Sequence, residues 1–272
     1  MTIHRPSRPA RVLASALAAG ALLATAACSD GGDSSGSGTA DTTEISSSPL
    51  AQESPAALTE AGARAALVTE ADLEDDWNEV KNAADWRESL LVGKVDVADF
   101  LTAKADAADC QKLLDRLYGD QLLGKPSGAS ALTGFEEGES RLLYQVAAYD
   151  KAGLNDSFAW LKSLPVECDQ FTATDDSGGE RTVQVIETSL PKEGDARQGL
   201  RVTVRGTSGG EPTTLTLDVA ALRVGTDAIT ITNGGLDGAD SDSTERAAKL
   251  GTERLKDVRA GRTPAADPGE ID

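Results

Sequence analysis

Along the middle of the chain the spacing of apolar residues changes period once, predicting helices first and strands afterwards. In ADCQKLLDRLYG, Ala107, Cys110, Leu114 and Leu117 recur three or four apart, which puts them on one helical face and turns Cys110 toward a core. Asp150 can cap a second helix in which Leu154, Phe158 and Leu161 recur at four and three, until Pro165 stops it. Cys168 then follows just past the helix end, at the start of a strand. From there the period is two. DQFTATDDSGGERTVQVIE reads as two strands around Asp175-Asp176-Ser177-Gly178-Gly179, a turn whose residues tolerate positive φ. In GLRVTVRG, Leu200, Val202 and Val204 alternate with Arg201, Thr203 and Arg205; TTLTLDVA and DAITITNGG continue the pattern with Leu215, Leu217, Val219, Ile229 and Ile231. Such alternation marks an antiparallel sheet with one covered side. Arg141–Tyr149 is apolar on both faces and reads as a central strand. A last helix is expected after Asp242, which with Glu245 forms a D-x-x-E start; Glu245 and Lys249 can pair, and Ala247, Leu250 and Val258 supply a buried face. Helices and strands that do not alternate as βαβ predict an α+β fold, an antiparallel sheet of six or seven strands flanked by helices.

Ahead of this pattern lies a different kind of segment. Arg5, Arg8 and Arg11 precede an apolar run over 12–27 that ends in small residues before Cys28. The run is shorter than the roughly 20 apolar residues a spanning helix needs, and it reads as an export signal over 1–27. Leu23-Ala24-Thr25-Ala26-Ala27-Cys28 resembles a bacterial lipobox, which makes Cys28 the expected lipidation site; the other reading is an ordinary secretory signal with an incidental cysteine. Residues 28–56 are acidic and rich in Gly and Ser, cannot repay their ordering entropy by burial, and are expected to be a disordered linker. At about 28 residues such a tether reaches roughly 30 Å. One globular domain is expected over 57–262 and a disordered tail over 263–272.

Charge narrows the functions further. The chain carries 26 Lys and Arg against 45 Asp and Glu, a net charge of −19 in 272 residues. Its bases are scattered singly, so no phosphate-neutralising stripe exists and nucleic acid is excluded as a partner. Anionic lipid head groups would be repelled, so the membrane is expected to be touched through the N-terminal lipid only. The only histidine, His4, lies in the signal segment and leaves with it. A mature chain without histidine has no Ser-His-Asp or Cys-His catalysis and no His-ligated zinc. Once Cys28 is assigned to lipid, Cys110 and Cys168 form an even pair in an oxidising compartment, and a disulfide is the expected state. A redox-active thiol pair or two reduced buried thiols are the alternatives, the first without C-x-x-C spacing.

Three motifs invite chemistry. Gly206-Thr207-Ser208-Gly209-Gly210 matches G-x-S-x-G, yet it lies between two strands and lacks a histidine, and reads as a hairpin loop. Asp237, Asp240, Asp242 and Glu245 are close enough to suggest calcium, but Thr244 and Glu245 stand where a calcium loop needs a third ligand and a glycine; a helix cap explains Asp242 more simply. Trp160 reads as core. Trp77 and Trp86 lie in a polar segment and are the candidates to line a ligand pocket. No catalytic residue, metal or cofactor is expected.

The order LVTEADL, ADCQKLLDRLYG, DSFAWLKSLPVECDQFTATDDSGG, then RVTVRG with LTLDVAALRVGTDAITITNGG, over Leu67 to Val258, resembles the actinobacterial extracytoplasmic sensor-type domain. That domain occurs in stand-alone lipoproteins and as the outer sensor domain of mycobacterial H-type receptor Ser/Thr kinases. The resemblance implies an antiparallel sheet flanked by helices with a cleft for an unidentified ligand, and it carries no catalytic residue. The expected function is a lipid-anchored protein on the outer face of the cytoplasmic membrane, binding an unknown envelope ligand or protein. The alternatives are a carboxylate-dependent cell-wall glycan hydrolase and an apolar lipid carrier.

Overall fold

The computed structural model describes residues 57–265, except 74–75, 85–90, 93–94, 97, 119–120, 237 and the side chains of 91–99. The expected signal, Cys28, the linker over 28–56, Trp86, Asp237 and the tail beyond 265 lie outside the described residues. In chain order the elements are α1 (Glu60–Ala65), a 3-10 turn (Glu70–Asp72), β1 (Asn78–Glu79), β2 (Leu91–Val92), β3 (Val95–Asp96), α2 (Ala98–Leu101) and β4 (Lys104–Ala105). There follow α3 (Ala108–Tyr118), β5 (Ser130–Glu137), β6 (Ser140–Ala148), α4 (Lys151–Glu167), β7 (Gln170–Thr174) and β8 (Glu180–Thr188). The chain closes with β9 (Ala196–Ser208), β10 (Glu211–Val224), β11 (Asp227–Gly235) and α5 (Ser241–Arg259).

The fold is α+β, and its main sheet has nine strands rather than six or seven, in the order β1-β5-β6-β11-β10-β9-β8-β7-β4, every pair antiparallel. The additional strands are those without a readable period. β1 and β4 have two residues each, and β5, SALTGFEE, has Gly134 in place of an apolar residue. The hairpin β5–β6 is followed by α4, which crosses one face of the sheet; the meander β7 to β11 then returns so that β11 pairs with β6, Ala148 opposite Asp227.

Apolar residues stand in rows across the strands: Val185 opposite Val202 opposite Leu217, and Val183 opposite Val204 opposite Leu215. This face receives α3 and α4 through Cys110, Leu114, Leu154, Leu161 and Leu164. The opposite face receives α1 and α5 on β6, β10 and β11, where Ala247, Ala248 and Leu255 meet Ala220, Leu222, Ile229 and Ile231. β11 and the second half of β10 are therefore buried on both faces, not the one that alternation predicts, whereas Thr182, Ile186 and Arg205 on β8 and β9 stay exposed. On this second face the helical cover stops short of β8 and β9, whose other face lies under α4.

Local details decide the helix ends. Asp150 caps α4 as expected, its carboxylate accepting from Gly153 N at 2.9 Å. Pro165 does not stop α4, which runs on to Glu167: a proline in the last turn removes a single N–H, and Cys168 N still donates to Leu164 O at 2.8 Å. Ala107 lies just before α3 and is exposed, so that helix buries Leu113 beside Cys110, Leu114 and Leu117. The cap of α5 is Asp240, not Asp242. Its carboxylate accepts from the N–H groups of Asp242 and Ser243, both at 3.1 Å, while Asn233 Nδ2 donates to Asp240 O at 2.7 Å and fixes it as the last non-helical residue.

Candidate functional site

The longest connection within the β7 to β11 meander, residues 189–195, forms one wall of an open groove of about 900 Å3. The facing wall is α4, through Phe158, Ala159 and Lys162, and the floor is the paired ends of β8 and β9, from Glu187 and Thr188 to Ala196–Gly199. Gly199 is required there, because a Cβ would stand 2.7 Å from Thr188 O. The wall is held from behind. Asp195 N donates to Arg223 O at 2.7 Å, Asp195 Oδ2 accepts from Gly225 N at 2.6 Å, and Glu193 pairs with Lys256 at 2.5 Å. Gly194 has φ +72° and lies so close to Arg223 O that no side chain fits. A loop tied at Asp195 to the β10–β11 turn and at Glu193 to α5 presents its groove side in one arrangement.

Lys162, Lys192 and Arg197 line this groove with one acid, Glu187, which accepts a long hydrogen bond of 3.4 Å from the buried Gln198 amide. The three cations have no ion-pair partner among the described residues. This is a local inversion of the surrounding charge, since residues 57–262 hold 23 basic against 37 acidic side chains.

A second, smaller hollow of about 230 Å3 shares Thr188–Leu190 with the groove and is lined also by Arg201, Asp218, Ser241, Thr244 and Glu245. Arg201 grips Asp218 through two bonds, 2.7 and 2.8 Å, and donates to Ser241 Oγ at 2.6 Å; Ser241 Oγ in turn donates to Asp218 at 2.9 Å. The hydrogen bond to Asp218 raises the Arg201 pKa, so its charge is fixed. A carboxylate already neutralised by a bidentate arginine is a poor base, and a hydroxyl bonded on both sides is not an activated nucleophile. The trio ties the start of α5 to the sheet.

The residues singled out in the sequence are distributed differently. Cys110 and Cys168 form a disulfide, Cα–Cα 5.6 Å, joining α3 to the end of α4. Trp77 is 3% exposed in the core under α5, its Nε1 donating to Ser243 Oγ at 3.0 Å, and does not line the groove. Trp160 is buried on α4 with Lys112 and Arg116 over its ring at 4.3 and 4.8 Å. Gly209 and Gly210 turn the β9–β10 hairpin with φ of +60° and +88°, placing Ser208 at a strand end as expected of a loop. Asp240 is occupied in capping, and among the described residues no three His, Cys, Asp or Glu side chains converge. The groove residues Lys162, Lys192, Arg197 and Gln198 escape sequence reading. The one local signal is the length of SLPKEGD between two regular strands, and Lys162 joins only when α4 is laid across the sheet.

No family model matches the chain, and no curated protein matches it. Among solved structures it is similar to an uncharacterized protein, the Rv0999 ortholog, from Mycobacterium smegmatis, at 14% identity and a TM-score of 0.42, covering 72% of this chain and 96% of that one. It is similar also to the extracellular domain of PknH from Mycobacterium tuberculosis, at 12% identity and a TM-score of 0.41, covering 76% of this chain and all of that one. No helix among the described residues is long and apolar enough to cross a membrane.

Proposed function

We propose that this protein is a lipid-anchored, extracytoplasmic, sensor-like binding protein of the cell envelope that holds a ligand in the groove between α4 and residues 189–195, without catalysis. The observation that carries this reading is the groove itself. It is a concavity of ligand size whose loop wall is pinned by three separate contacts, as a preformed site requires. The basic residues and apolar run ahead of Cys28 support export and anchoring, and a Cys110–Cys168 disulfide suits an oxidising compartment. A glycan hydrolase needs two carboxylates facing each other, and among the described residues lining the groove Glu187 is the single one. A lipid carrier needs an enclosed apolar cavity, and this groove is open and charged.

Native mass spectrometry of the protein purified from the envelope of the producing cell tests the reading. The wild type is expected to retain a ligand mass that Ala159→Trp, a substitution at an exposed groove position, removes. A wild type that carries no ligand, or a variant that keeps it in full, would overturn the assignment of the groove.

A further inference from the structure

We infer that the groove is an anion site and that its ligand bears a terminal phosphate monoester, an inference that rests on the groove being the ligand site. The charges of the segment Lys192-Glu193-Gly194-Asp195-Ala196-Arg197 are sorted by the way it folds. Its two acids are used on the side away from the groove, Glu193 on Lys256 and Asp195 on the N–H of Gly225. Its two bases line the groove, and α4 adds Lys162 opposite. Alternating charges in the sequence thus become a one-signed wall, in a domain that otherwise has an excess of acid. Concave surfaces of one sign focus field and attract the opposite ion.

The amount of charge selects among anions. Three cations and Glu187 leave two positive charges, which a phosphate monoester, at about −1.5 to −2 near neutral pH, balances. Arg197 offers the planar fork that fits phosphate oxygens in pairs, and the lysines act as mobile point charges around it. Phe158 and Leu190 provide apolar contact for the carbon part of the ligand. A monoester of this kind is found both on small soluble molecules and as the head group of phosphatidic acid, and the site chemistry is common to both.

Two titrations test the inference. Calorimetry with glycerol phosphate is one arm. Cosedimentation with phosphatidylcholine vesicles containing phosphatidic acid is the other, using Cys28→Ala protein produced without residues 1–27, so that neither a lipid nor the apolar segment before Cys28 contributes. Saturable binding in the first arm assigns a soluble ligand, in the second a lipid head group, and either upholds the monoester. The double variant Lys162→Gln/Arg197→Gln is expected to weaken binding by about tenfold or more, Glu187→Gln to strengthen it about threefold, and the dicarboxylate succinate to bind about tenfold more weakly than glycerol phosphate. Absence of binding in both arms, a double variant equal to the wild type, or succinate equal to the phosphate would overturn the inference. A neutral ligand retained by the wild type and lost in Ala159→Trp would overturn it too, while leaving the groove as the binding site.

Discussion

Asp72, Asp218 and Asp227 are buried, and each meets an arginine from elsewhere in the chain: Arg254, Arg201 and Arg259. In the sequence these acids are indistinguishable from the many that solvate the surface, because no local pattern announces an ion pair closed across 182 residues. Asp227 shows what such burial does. It is 1% exposed, and desolvation raises its pKa above the ordinary 3.8, against the opposing effect of Arg259. Below 3.8 the carboxyl is protonated folded or unfolded. Between 3.8 and the raised value the folded state alone holds the proton, so this group's contribution to stability declines as pH rises through that window. Arg259→Met leaves the carboxylate buried without its counter-ion and is expected to cost about 3–5 kcal/mol at neutral pH. That cost should shrink toward pH 4 as the carboxyl takes up its proton. Urea midpoints of variant and wild type at both pH values check this, and a difference independent of pH would contradict it.

At the scale of elements, hydrophobic period and capping chemistry locate α3, α4, α5 and the strands from β6 to β11, because each depends on residues a few positions apart. Their ends are less legible. Asp240 and Asp242 are equally good caps by composition, and only Asn233, on the neighbouring strand, decides between them. Gly251 in α5 is likewise unexplained within its own helix, where glycine costs about 1 kcal/mol relative to alanine. Its reason is Tyr144 on β6: a Cβ at position 251 would overlap the phenol oxygen, which donates to Ala66 O at 3.3 Å. Burial pushes the Tyr144 pKa up and keeps that donor un-ionised. Gly251→Ala is therefore expected to lower stability by about 1–3 kcal/mol despite its better helix propensity, and Tyr144→Phe in the same chain to recover part of the loss. A urea midpoint at or above that of the wild type would contradict the close approach.

Across the whole molecule, the expected N-terminal anchor is the largest functional statement readable from sequence, since signal, cysteine and acidic linker are properties of composition and order along the chain. Cys28→Ala is expected to shift the protein from the membrane fraction to the medium, or to leave its signal uncleaved; fractionation and intact-mass measurement check it, and unchanged membrane association of a processed chain would refute it. The groove belongs to the opposite case. Lys162 lies 30 positions before Lys192 in the sequence, and nothing local relates them. They become neighbours because α4 is laid over β8 and β9, and because Glu193 and Asp195 find partners behind the loop. Fold class and the cysteine pairing follow from the sequence alone, because period and parity are carried by the chain itself. The number of strands, the buried acids and the basic groove were decided only in three dimensions, since each depends on which distant group closes on which and on the side to which a charge is turned.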